Sequence, residues 1–379
     1  MTELRGITWN HTRGFLPMVA TAQRYSELHP DIDVRWEKRS LQQFADWPIE
    51  KLAGMYDLLV IDHPFSGYAD DNDVLLPLDE HLPAAFLADQ GANSVGPSHP
   101  SYTFGGHRWA LAIDAATPVC GYRRDLLERA CAGVPQTWSE LLELARRGLV
   151  AIPAIGIDSL MNFYMLCGAL GEDPFRRESE VVSDDIAHRA LSMLAQLVAL
   201  CEPDCLGRNP IATWNLLAAS NTVALCPFAY GYSNYARAGY GRHVLEFTGL
   251  LPPFRSTLGG AGLAISCRCA HRAEALQYAE YVAGAECQRT LYFDSGGQPG
   301  HRKAWLDDEV NRRSANYFRN TLATLDAARL RPRYNGYLHF QDQASHTIHA
   351  FLRRQATAST TIAEMNLLYQ QSRSRHAAA

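Results

Sequence analysis

The chain has 379 residues, enough for two domains of ordinary size, and its 47% hydrophobic and 20% charged content is that of a globular protein. A net charge of −5, with no basic stripe interleaved with aromatics, argues against nucleic-acid binding. No apolar run reaches the ~18 residues needed to span a membrane.

Nine scattered cysteines, an odd number, fit a reducing compartment. The opening MTELRGITWNHTRGF has no basic segment followed by an apolar run and a small-residue cleavage site. The expected location is therefore the cytoplasm, or the periplasm for a chain trimmed of a leader.

Leu4 to Trp9 reads as a strand emptying into the polar loop Asn10, His11, Thr12, Arg13, Gly14. A helix follows with Pro17 in its first turn and an apolar face of Val19, Ala22, Tyr25 and Leu28. Loops at strand ends carry sites in α/β folds, so Trp9, Asn10 and His11 are candidate ligand contacts. The alternative is a buried Trp beside a solvated turn. Asp33 to Lys38 alternates as a strand, and Pro48 opens a helix through Met55. Asp57 to Ile61 is a continuous apolar run, as in a strand buried on both faces of a parallel sheet. It ends in Asp62 and His63, a hydrogen-bonding or proton-transfer pair. Alternatively, Asp62 caps the next helix and His63 packs under a loop.

Gly105 to Arg108 turns the chain into the strand Trp109 to Ile113, which ends at Asp114. A second strand, Val119 to Tyr122, follows the Ala115–Pro118 turn. Asp114 and Thr117 are placed at a boundary between two packing units, where Asp114 accepts from a ligand or ties down backbone. A helix runs from Arg124 to Cys131. Thr137 then begins another as N-cap, with Glu140 closing a capping box.

This order of features resembles the crossover of the family 1 extracellular solute-binding proteins of ABC importers. The carrying residues are Asp114, Thr117-Pro118, Tyr122-Arg123-Arg124-Asp125-Leu126-Leu127 and Val134-Pro135-Gln136-Thr137-Trp138-Ser139-Glu140-Leu141. The resemblance implies an α/β, two-lobed periplasmic-binding-protein-like type II fold with a ligand cleft between the lobes. Leu75 to Leu82 is similar to the family's short lid segment. Thr257 to Ser266 resembles its glycine-rich return strand, and ALQYAEYVAGAECQ resembles the helix after it. Gly296 to Gly300 falls where the family often has a Gly-x-x-Pro turn.

Further along the chain, Val150 to Ile155 forms a strand and Asp158-Ser159 starts a helix, where Asp158 is either the N-cap or, with Ser159, a candidate ligand contact. Ile186 to Leu200 and Trp214 to Ala219 are helices. A strand from Ala224 ends in Tyr230, Tyr232, Ser233 and Asn234, residues that stack on and hydrogen-bond polar organic ligands. Gly259 and Gly260 allow close backbone approach to a ligand or hinge. Gln298 sits in the Gly-Pro turn. Arg333 offers a fork for a carboxylate or phosphate, or a solvated surface turn. Helices Tyr317–Leu325 and Gln343–Ala356 follow.

The expected organisation is a first lobe of 1–114 plus 255–300, a second of 115–254 plus 301–372, and a disordered tail, 373–379. The expected function is binding of a small carbohydrate or hydroxy or carboxylic acid with hinge closure. No metal and no cofactor is expected, and an ABC permease is a partner only if the chain is exported. The rival reading is a cytoplasmic lyase, hydratase or hydrolase on the same fold. His63 is then the general base, oriented by Asp62 or Asp114.

Overall fold

A computed structural model describes residues 1–40 and 48–377. Its strands, in chain order, are β1 (Thr2–Trp9), β2 (Ile32–Arg39), β3 (Leu58–Ile61), β4 (Thr103–Phe104), β5 (His107–Arg108), β6 (Leu111–Ala116), β7 (Pro118–Tyr122), β8 (Leu225–Tyr230), β9 (Glu246–Thr248) and β10 (Gly259–Ile265). The chain divides into two compact units. The first takes in Met1–Ala116, Leu258–Arg312 and Arg333–Asn335; the second takes in Thr117–Thr257, Arg313–Pro332 and the chain from Gly336 onward.

The first unit is built on a five-stranded sheet in the order β2-β1-β3-β10-β6. β1 runs parallel to β2 and β3, while β10 is antiparallel to both β3 and β6. Thus β1, β3 and β6 all point the same way, and β10 begins where they end. Every residue of β3 and β6 is buried, as expected of strands covered on both faces, and β6 is apolar apart from Asp114. The core gathers Leu4, Val34, Leu58, Val60, Leu111 and Ile113 with Met18, Ala22 and Tyr25 of the helix Thr12–Leu28. That helix begins earlier than its proline suggests. His11 Nδ1 accepts from Arg13 N and caps it, so Pro17 is interior. Its buried stripe is Pro17-Met18, Thr21-Ala22 and Tyr25, whereas Val19 and Leu28 face outward. Gly105 and Gly106 have φ of +61° and +93° and close the β4–β5 hairpin, the two positive values a tight two-residue turn needs.

Residues 75–82, likened above to a lid, are instead part of this core. Leu75 bridges to Ser266, and Leu76, Leu78 and Leu82 are buried in the main cluster. Residues 301–312 also belong to the first unit and not to the second. Trp305 Nε1 donates to Pro299 O, Asn311 Nδ2 donates to Trp305 O, and Arg289 pairs with Asp307, which ties the segment back to residues of this unit.

The second unit has a three-stranded antiparallel sheet in the order β8-β7-β9, surrounded by helices. Thr137 caps the helix Trp138–Arg146 by accepting from Glu140 N, and Glu140 Oε2 reaches back to Gln136 N. Thr137→Ala is expected to cost ~1 kcal/mol, read as a small drop in denaturation midpoint. No change would mean the Glu140 contact alone holds the helix start.

Val150 to Ile155 is buried and extended but forms no strand. Its one ladder contact is a bridge from Val150 to Leu225. Residues 373–377 of the expected disordered tail are helical: a helix runs Ala358–Ala377, with Ile362, Met365 and Tyr369 buried. Residues 378 and 379 of the expected tail lie outside the described residues. All nine cysteines are free thiols.

Candidate functional site

In the first unit the strand directions bring most of the candidates to one sheet edge. Trp9 closes β1, Asp62 follows β3, and β6 ends just past Asp114. Gly259 pairs with Ala116 and Gly260 with Ala115 at the start of β10. Gln298 joins them. Its carbonyl accepts from Ala115 N, and its amide Nε2 donates to Ala115 O at 2.8 Å. Asn10, His11, Asp62, His63, Asp114, Gly259, Gly260 and Gln298 therefore share the carboxyl-terminal edge, where open α/β sheets bind ligands.

What each side chain does there differs. Asn10 is exposed, and His11 and Asp62 are half-buried. Burial, then the Arg13 charge, lowers the His11 pKa to about 4, so its ring is neutral near pH 7. Trp9 belongs to the hydrophobic core and does not present a face for stacking. Asp62 caps the turn His63–Phe65 by accepting from His63 N, and His63 itself is wholly buried, edge-on to Tyr102. Of the two readings of this pair, proton transfer at an open edge is overturned and the capping Asp62 with an inward His63 is found: the strand runs straight into a 3-10 turn, which rolls the ring inward.

Asp114 is buried too. Both of its oxygens are held by Arg13, from Nε at 2.7 Å and from Nη2. Burial pushes its carboxyl pKa up, and the Arg13 guanidinium opposes that. Neither His63 nor Asp114 presents an exposed acid or base, so the arrangement offers hydrogen-bonding surface more readily than proton transfer. Gly260 has φ +100°, and a Cβ there would overlap the Asp114 carbonyl. Its freedom serves the β10–β6 junction, where the register shifts at Ala261/Gly262.

In the second unit, Pro118 pairs with Tyr230, so Thr117 and Tyr230 meet at one end of the β7–β8 ladder. Thr257, not singled out in the sequence, joins both. Its carbonyl accepts from Thr117 Oγ1 at 3.0 Å, and its hydroxyl lies 3.3 Å from Tyr230 OH. Tyr232, Ser233 and Asn234 are buried, and the turn Ser233–Ala236 packs through Tyr235, whose hydroxyl bonds Asn215. Tyr230 alone of this string is half-exposed.

The remaining candidates are not part of either group. Asp158 and Ser159 lie in the first turn of the helix Gly156–Ala169, capped by Ile155, so Asp158 is not the N-cap. Ser159 Oγ donates to Ala154 O. Asp158 is close enough to Cys226, at the far end of β8 from Tyr230, to raise its thiol pKa further. Arg333 donates to the carbonyls of Pro100, Ser101 and Thr103 and covers the Phe104 ring. Its Nη1 is committed to backbone. Arg13 is the residue the sequence passed over. Only its place beside a candidate loop signalled it.

Residues 20–317 match the model of a bacterial extracellular solute-binding protein family. The chain belongs to that family. No curated protein matches it by sequence. Among solved structures it is similar to the maltose-bound MalE3 of T. maritima, with 17% identity, 98% of this chain and 99% of that chain covered, and TM-score 0.81. It is also similar to a Thermotoga lettingae ABC transporter solute-binding protein bound to alpha-D-tagatose, with 17% identity, coverage of 98% and 100%, and TM-score 0.84. UgpB of Mycobacterium tuberculosis in complex with glycerophosphocholine aligns over 99% of both chains at 17% identity, TM-score 0.80. The two-lobed, α/β periplasmic-binding-protein-like fold is thereby established for this solute-binding family member, in line with the two units found by chain contacts.

Proposed function

We propose that this protein binds a small polar organic solute, a carbohydrate, polyol or hydroxy acid. The observation that carries the reading is the gathering of Asn10, His11 and Asp62, none of them fully buried, at one sheet edge in a member of a solute-binding family. Maltose, tagatose and glycerophosphocholine, held by the similar structures, suggest the chemistry: small polar organic molecules that carry hydroxyls on a short carbon skeleton. A neutral imidazole, an amide and a carboxylate suit such hydroxyls. In the second unit, Tyr230 is partly buried with its hydroxyl beside Thr257, and an aromatic residue of this kind suits a sugar or polyol carbon skeleton.

Calorimetry against a panel of sugars, polyols and hydroxy acids tests the proposal. At least one is expected to bind with one-to-one stoichiometry, and Tyr230→Ala to weaken it ~10-fold, about 1.4 kcal/mol. A panel with no binder sinks the reading. Hinge closure goes with it, and shows as a smaller radius of gyration in scattering when the solute is added. An ABC permease is the partner only if the protein is exported. Cell fractionation decides between that case and the cytoplasmic location.

A further inference from the structure

The second unit carries a cavity of about 780 Å³ lined by the turn Pro203–Gly207, by Arg208, and by Leu352, Arg353, Arg354 and Gln355 at the end of the helix Tyr337–Leu352. None of these residues belongs to the strand-end groups. Its volume is that of a small-molecule site.

The donors in its wall are what single it out. Arg208 is half-buried. Its Nη1 lies 3.3 Å from Glu202, but its Nε and Nη2 are buried without a hydrogen-bond partner among the described residues. Arg353 and Arg354 are exposed, and their guanidinium groups have no ion pair or hydrogen bond among the described residues. Three arginines thus face one acidic lining residue, Asp204, in a chain whose overall charge is −5.

The backbone explains why the side chains are left over. Gln355 N donates to Ala350 O and Arg354 N to Phe351 O, so the last carbonyls of the helix are satisfied by main chain. Arg354 takes the left-handed conformation, φ +61°, at the position glycine usually fills in such an ending. An arginine held there is not needed for the cap.

We propose that this cavity is a second binding site, one that takes a small molecule through a phosphate or carboxylate group clamped by Arg208, Arg353 and Arg354. Guanidinium forks match either oxyanion two-pronged, and those of Arg353 and Arg354 are exposed with no competing partner among the described residues. The site is independent of solute binding at the strand ends.

The test uses the full chain and two probes, inorganic pyrophosphate and citrate, titrated calorimetrically at low salt. One-site binding is expected, weakening several-fold in about 0.3 M salt as exposed charges are screened. The double variant R353Q/R354G is expected to bind ~10-fold more weakly or not at all, because two of the three charged donors are gone. Glycine preserves the left-handed helix ending, so its melting temperature should stay level or rise. Solute affinity is expected to be unchanged. Preference for pyrophosphate identifies a phosphate ligand, and preference for citrate a polycarboxylate. No binding of either probe by about 10 mM, an affinity too weak for a built site, overturns the proposal. So does binding that the double variant leaves intact.

Discussion

Asp114→Ala is expected to lower the stability of the first unit by ~3–5 kcal/mol, because it leaves the Arg13 charge buried without a counter-ion. Arg13 and Asp114 are 4% and 0% exposed along their side chains, so water cannot screen the orphan. A loss of that size moves a thermal midpoint on the order of 10 °C in a domain this large. The partner substitution behaves differently with pH. In Arg13→Met the buried Asp114 carboxyl can escape its charge by binding a proton. Burial already pushes its pKa up, and removing the guanidinium takes away the opposing influence. The folded form then keeps its proton at pH values where the unfolded form has lost it, so stability falls as pH rises from about 4. Arg13→Met is therefore expected to be milder at pH 5 than at pH 8, whereas Asp114→Ala strands an arginine that does not deprotonate and is costly at both. Replacing both residues with Met and Leu should recover most of the loss. Urea denaturation of the four proteins at the two pH values checks this. Equal costs for the two single variants at both pH values would show that the pair is not buried as an ion pair.

That pair also marks where the sequence stopped being informative. Local features could be read because their causes are local. The Gly105-Gly106 turn, the Thr137/Glu140 cap and the fully apolar β3 all follow from a few adjacent residues. The Arg13–Asp114 contact joins positions 101 apart, and Arg333 reaches carbonyls more than 200 residues away. No periodicity announces either. Short-range signals also misled where burial and secondary structure part company. Val150 to Ile155 is as apolar as a strand but gains only one bridge, because contact with β8 stops at the Ala151 N to Leu225 O bond and the N–H groups of Ala154 and Ile155 turn to carbonyls of Cys205 and Arg208. The last helix lacked a strong apolar stripe in its polar ending. Ile362, Met365 and Tyr369, spaced three and four apart, nevertheless bury one face. For the candidate site, strand ends placed the loops after β1, β3 and β6 at one edge of the first sheet. They did not reveal that His63 and Asp114 would be used inward, leaving Asn10, His11 and Asp62 outward.

Asp158→Asn is expected to stabilise the protein above pH 7 relative to pH 5. Asp158 sits in the first turn of its helix, 5% exposed, and its Oδ2 has no hydrogen-bond partner among the described residues. Burial alone pushes its pKa from 3.8 up to about 8. The helix start favours a negative charge there by only ~0.3–1 kcal/mol, which is too little to offset the desolvation. Between those two pKa values the unfolded chain has released the proton and the folded chain has not. Stability therefore drops with each step in pH from about 4 and levels off above about 8. At 1.36 kcal/mol per pKa unit, the full span from 3.8 to about 8 is on the order of 5 kcal/mol. Asparagine has no proton to lose. It carries a constant penalty for a buried amide, ~1–3 kcal/mol, which cancels when the same variant is compared across pH. The informative quantity is the change in the wild-type minus variant difference between pH 5 and pH 8.5. It should shift by several kcal/mol in favour of the variant. A difference that stays flat across this range would mean that Asp158 is already ionised in the folded protein, and therefore that water or a cation reaches it.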